Sequence, residues 1–137
     1  MDAIAAHAAA TPDAPALIEG DRRLTWRDYR LRRNRLAHAL AGLGLRRGEH
    51  VIVYAPNSME SMLVGAAARA VGVIPVPMNH RLAPDEVAYI LDDSDAAFVF
   101  VGDPFLATAE AVRAGATRVR HWITIGREQR QIGRAHV

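Results

Sequence analysis

The chain has 137 residues, half of them hydrophobic, and a formal net charge of +2. That length fits one modest domain with its own core, and the near-neutral balance excludes a strong electrostatic field as the basis for binding nucleic acid or anionic lipid. The absence of cysteine excludes disulfide and thiolate chemistry, and the six histidines are scattered without a close pair at metal-ligand spacing.

In chain order, residues 4–10 read as a short helix stopped by Thr11-Pro12. Residues 16–19 and 22–25 flank Gly20-Asp21 and read as a hairpin. Thr25 then caps a helix, with Asp28 three residues on as a weaker capping-box partner. Trp26, Tyr29, Leu36, Leu40 and Leu43 share one face of it, and Gly42 and Gly44 end it. The nearly continuous apolar run at 50–54 predicts a strand covered on both faces. Asn57 is expected to cap the next helix, with Glu60 at its third position and Met59, Met62, Leu63, Ala66 and Ala70 as the buried stripe. Gly72 stops this helix and 73–76 is a short strand. Pro84 suits a first helical turn, Asp85 and Glu86 suit its positive end, and Val87, Ile90 and Leu91 face inward. A strand at 97–101, a helix at 104–114 with Phe105, Ala109 and Val112 on one side, and a strand at 119–125 complete the pattern. Strands alternating with helices from residue 51 onward predict an α/β fold, a mostly parallel sheet with helices on both faces.

No targeting segment or transmembrane span is legible: Asp2 precedes the Ala-rich start, and Arg69, Pro75 and Pro77 interrupt the longest apolar region. A cytoplasmic protein is the expectation. All 17 basic residues are arginine. The last six residues, Ile-Gly-Arg-Ala-His-Val, match a reading of a common sequencing-library adapter, with Gln131 supplying its first bases. Residues 1–130 are therefore expected to be native and 131–137 a non-native tail.

Several motifs admit a chemical and a structural reading. Asn57-Ser58 at a helix start presents free N–H groups that suit a phosphate, but without a Gly-rich loop or lysine a helix cap is favoured. Asn79, His80 and Arg81 lie on a loop, where Arg81 can reach a phosphate or carboxylate; a structural turn with a surface arginine is favoured. Arg27, Arg30, Arg32, Arg33 and Arg35 spread around their helix, as a solvated face does. Arg33 projects onto the apolar face, where it either snorkels or meets a segment outside this chain. Asp92, Asp93 and Asp95 lack the glycine and distal glutamate of a calcium loop and read as a polar helix end. Trp26 and Tyr29 read as core aromatics.

Certain runs occur in an order and spacing that resemble a known family. They are Thr-Pro-Asp-Ala-Pro-Ala at 11–16, Leu-Thr-Trp at 24–26, Asn-Arg-Leu-Ala at 34–37 and Ala-Pro-Asn-Ser at 55–58. Gly-Val-Ile-Pro-Val-Pro-Met-Asn at 72–79 and the stretch from Arg81-Leu82 to Asp92-Asp93-Ser94 follow. Together they resemble the N-terminal part of the adenylate-forming ligases: acyl-CoA synthetases, adenylation domains of peptide synthetases, and luciferases. The resemblance implies an incomplete N-terminal subdomain of that fold. It implies an enzyme that uses ATP and Mg²⁺ to convert a carboxylic acid to an acyl-adenylate and then transfers the acyl group to CoA. The Val-Pro-Met-Asn loop resembles fatty-acid ligases more than peptide-synthetase domains, in which an acidic residue tends to occupy the position of Asn79.

The family's Ser/Thr/Gly-rich lysine loop, its later aromatic and hinge motifs and its C-terminal lysine have no counterpart here. No catalytic, cofactor-binding or metal residue is therefore carried over, and this chain alone is expected to be inactive and to bind no ATP, CoA or Mg²⁺. Two alternatives stay open: an adenylation domain that loads a carrier protein, and a self-contained non-catalytic α/β binding module.

Overall fold

Two helices flank a hairpin at the N-terminal side. The computed structural model describes residues 1–126, together with the backbone of residues 135 and 136. Helix α1 (Ala3–Ala10) is capped by the Asp2 carboxylate, which accepts from the Ala5 N–H at 3.0 Å. Strands β1 (Pro15–Glu19) and β2 (Arg22–Thr25) pair antiparallel, with Glu19 opposite Arg22 and Gly20 at φ +57° in the turn. Thr25 caps α2 (Trp26–Gly42) by accepting from the Asp28 N–H, as predicted, and Gly44 reverses the chain at φ +93°.

The remaining elements alternate. They are β3 (His50–Tyr54), α3 (Met59–Ala70), β4 (Ile74–Pro77), α4 (Pro84–Asp93), β5 (Phe98–Gly102), a 3-10 turn at Asp103–Phe105, α5 (Leu106–Arg113), β6 (His121–Ile125) and the two-residue β7 (Ala135–His136). The five strands are all parallel, in the order β4-β3-β5-β6-β7.

Side chains along the central strands alternate between two cores. Val51, Phe98, Phe100 and Ile123 pack with Ala37 and Leu40 of α2 and with Val64 and Ala67 of α3. Ile52, Tyr54, Val99, Val101 and Trp122 pack with Val87 and Leu91 of α4 and Ala109 and Val112 of α5. Both faces of the sheet are thus covered, which is why its strands read as continuous apolar runs.

Strand β4 is the edge, and its prolines explain how. The N–H groups of Ile74 and Met78 donate to Glu49 and Val53 of the neighbouring strand side, while Pro75 and Pro77 occupy the alternate positions. The missing donors therefore face away from β3, where they break no ladder bond and deter a further strand.

Local departures from the sequence reading have simple causes. The cap of α3 is Ser58, not Asn57: its Oγ accepts from Ser61 N–H at 3.1 Å, and Ser61 Oγ accepts from Ser58 N–H at 2.9 Å. The expected stripe of α3 is also shifted. Met62 is 50% exposed and Ala70 is exposed, whereas all of residues 64–68 are buried, because α3 is covered on one side by the sheet and on another by α2. Five consecutive buried positions are possible only because four are Gly or Ala. Residues 104–114 begin with the 3-10 turn rather than an α-helical one, and Val119 lies in a turn, its N–H donating to Ala116. The expectation of a non-native tail at 131–137 lies outside the described residues, apart from the backbone of β7.

Candidate functional site

The positive end of α3, where a helix cap is favoured over a phosphate, is filled from within the chain. Ser58 and Ser61 satisfy each other's N–H groups, and the Glu19 carboxylate accepts from the Met59 N–H at 3.0 Å. Arg22 pairs with both Glu19 and Glu60, fixing the hairpin on the helix end. An internal carboxylate thus occupies the position an external anion would take. The structural reading of Asn57-Ser58 holds, although the anion comes from a residue 40 positions upstream of Met59.

In open α/β sheets the usual ligand crevice lies beyond the carboxyl ends of strands at the point where connections diverge. Here that point falls between β3 and β5. The backbone packs tightly at Gly102 there: a side chain on Gly102 would come within 2.9 Å of Pro56 Cδ and 3.0 Å of Ala55 Cβ. Beside it Tyr54 and Phe105 stack at 4.4 Å, and the His80 ring sits 6.0 Å from Phe105. Asp103 follows Gly102, with its Oδ1 buried and without a hydrogen-bond partner among the described residues. Gly126 lies against that carboxylate, since a Cβ there would be 2.4 Å from Oδ2.

The loop after β4 is a turn held by Asn79, whose Oδ1 accepts from the Arg81 N–H at 3.0 Å. Arg81 is exposed and forms no ion pair among the described residues. The structure brings His80 to the aromatic stack.

Arginines of α2 serve several ends. Arg27 pairs with Asp13 at 3.1 Å, while Arg30, Arg32 and Arg35 are exposed, as a solvated face requires. Arg33 is buried and pairs with Asp2 at 2.7 Å, so its partner comes from within the chain. That hydrogen bond, with help from the Ala5 N–H, holds the Asp2 carboxyl at about 2. Burial raises the Tyr29 hydroxyl. Asp92, Asp93 and Asp95 close α4, and Asp95, at φ +51°, pairs with Arg118. Among the described residues no group of three His, Asp or Glu can hold a metal ion, and no helix is long and apolar enough to cross a membrane.

Comparison with known proteins accounts for this arrangement. Residues 4–132 match the family model described as AMP-binding enzyme. The chain is 36% identical over 121 residues to the long-chain-fatty-acid–CoA ligase FadD13 of Mycobacterium tuberculosis, an alignment covering 85% of this chain and 24% of that protein. It is 36% identical over 110 residues to the fatty acid–[acyl-carrier-protein] ligase ScoC of Streptomyces coeruleorubidus, covering 79% and 21%. Among solved structures, the N-terminal domain of FACL13 from Mycobacterium tuberculosis superposes with a TM-score of 0.84 at 33% identity, covering 89% of this chain and 32% of that one. The chain spans about a quarter of the length of these two ligases, and its α/β sheet is part of an adenylate-forming ligase N-terminal domain. By the match from residue 4 to residue 132, the chain belongs to the AMP-binding enzyme family.

Proposed function

We propose that this chain is the N-terminal part of an ATP-dependent acid–thiol ligase that activates a fatty acid as its acyl-adenylate and transfers it to CoA. The observation that carries the reading is the AMP-binding match along nearly the whole described sheet. The resemblance of the Val-Pro-Met-Asn run to fatty-acid ligases, and the likeness to FadD13, support a fatty acid as substrate. In this reading the chain supplies strands and packing helices, and the phosphate chemistry belongs to later segments.

The described residues do not fit Mg²⁺ and ATP by themselves. The α3 terminus is taken by Glu19, Ala55 and Pro56 pack against Gly102 at the end of β5, and among the described residues no carboxylate trio is available for the metal. No site residue is therefore assigned for catalysis, cofactor or metal within this chain. The proposed setting is the cytoplasm, where ATP and CoA are supplied. Residues 131–137 are read as lying outside the native protein.

The test is the genomic sequence beyond Arg130, followed by assay of the protein it encodes. A Ser/Thr/Gly-rich lysine loop downstream, and acyl-CoA formation from a fatty acid, ATP and CoA, are expected. A stop codon at that point would remove the proposal. A carrier-protein acceptor is the second reading, favoured by the likeness to ScoC; acylation of a carrier protein in preference to CoA would establish it.

A further inference from the structure

Two helices on opposite sides of the sheet present outward faces of opposite charge. Helix α2 packs Ala37 and Leu40 on one side, and α4 packs Val87 and Leu91 on the other. Outward, α2 shows Arg27, Leu31 and Arg35, each one helical step of i,i+4 from the next and so in one row. Outward, α4 shows Asp85, Tyr89 and Asp93 with the same spacing. At the middle of each row a large apolar side chain is left in water: Leu31 is 50% exposed and Tyr89 is 68% exposed.

Neither row is satisfied within the chain. Arg30, Arg32, Arg35, Asp85, Asp92 and Asp93 form no ion pair among the described residues. Arg27 holds only Asp13, in a pair that solvent reaches from both sides. Each row also opposes its own helix. Arg27 and Arg30 stand in the opening turns of α2, at its positive end, while Asp92 and Asp93 stand at the negative end of α4, where no basic residue offsets them. A surface that brought the opposite charge to either end would relieve it.

We propose that α2 of one copy of this chain docks antiparallel against α4 of a second copy. Arg27 then meets Asp93, Leu31 lies against Tyr89, and Arg35 meets Asp85. The rows match in length, about 12 Å each at a rise of about 1.5 Å per residue. An arginine beside Leu31 gains the Tyr89 ring as a cation–π partner. A second copy is favoured over an unrelated charged partner because charge, apolar centre and spacing correspond along the whole row. The two faces lie on opposite sides of the sheet, so the contact is head-to-tail and extends beyond a pair. Two single-helix stripes bury less than about 1,000 Å², the range of weak and transient contacts.

Sedimentation equilibrium of the 137-residue chain tests it. The weight-average mass should rise between about 10 µM and about 1 mM protein, as a weak contact requires, and about 0.5 M NaCl should suppress the rise. Tyr89→Ala and Arg35→Glu should each remain monomeric. Combining Arg35→Glu with Asp85→Arg in one chain restores opposite charges across the contact and should restore association. A monomer at every concentration would overturn the proposal and leave both faces to other segments of a longer ligase. Association that is indifferent to salt, unchanged in either single variant, or no stronger in the combined variant than in Arg35→Glu would overturn it equally.

Discussion

Arg120 grips Glu49 from 71 residues away, with its two terminal nitrogens 2.8 and 2.9 Å from the two carboxylate oxygens. The same guanidinium donates to the Gly44 carbonyl at 3.0 Å and lies 5.7 Å over the Phe98 ring. One side chain thus ties the amino ends of β3, β5 and β6 to the turn after α2. Substituting Arg120→Gln removes a forked ion pair and a cation–π contact together. Because Arg120 is 44% exposed, the expected loss is only about 1 kcal/mol. Urea denaturation checks this, and an unchanged midpoint would contradict it.

The carboxylates set the response to acid. Asp2 is held at about 2 against an ordinary 3.8, first by the hydrogen bond from Arg33. Glu49 is also lowered, first by the hydrogen bond from Arg120. A carboxyl depressed in the folded state contributes stability above its unfolded pKa and loses it as pH falls through the folded value. Stability should therefore be flat above about pH 5 and decline between about pH 4 and about pH 2. Solvent screens part of the effect, since the Asp2 side chain is 48% exposed. Asp2→Asn keeps a capping oxygen for α1 but loses the charge, so its acid slope should be shallower than the parent's. Identical slopes in urea midpoints across that range would refute the assignment.

Gly102 carries a steric constraint, not a conformational one, since its φ of −78° suits any residue. A methyl group there would meet the Ala55 backbone at 3.1 Å as well as Pro56 and Ala55 side-chain atoms. Gly102→Ala should cost on the order of 1–3 kcal/mol by overpacking the β3–β5 crevice. Chemical denaturation with an unchanged m-value is the expected signature, and a neutral substitution would show that the crevice can open.

These residues mark the boundary of what the sequence could show. Element type and order were legible because the two periodicities are strong: the apolar runs of β3 and β5 on one hand, Val87 and Leu91 on the other. Capping was legible only where the motif was unambiguous. Thr25 served as expected, but Asn57-Ser58 offers two adjacent caps, and Ser58 prevails by exchanging hydrogen bonds with Ser61. The burial of α3 is not legible from its sequence, because its alanines carry no polar contrast from which to project a face. Above all, the partners of Glu19, Arg33 and Glu49 lie 31 to 71 residues away, beyond any local pattern. That is why the cap at α3 was legible but the Glu19 carboxylate that completes it was not.

Glu19 offers a direct test of that closure. Glu19→Ala would remove the acceptor for the Met59 N–H and the partner of Arg22, at an expected cost of about 1 kcal/mol. Glu19→Gln retains an acceptor oxygen and should lose less than half of that. If the two variants unfold at the same denaturant concentration, the charge rather than the hydrogen bond is what α3 requires.

The chain as it stands should show no ATP–pyrophosphate exchange with any carboxylic acid. Acyl-adenylate formation develops charge on phosphorus that preorganised cations and N–H donors must meet, and loss of one such donor typically costs about 10²–10³ in rate. The sequence holds no lysine. Arg81 forms no ion pair among the described residues, and Glu19 places a negative charge at the start of α3. An arginine fork is not equivalent to a lysine point charge at such a centre. Exchange above background with the purified chain, abolished by Arg81→Gln, would show that the phosphate chemistry resides in these residues after all.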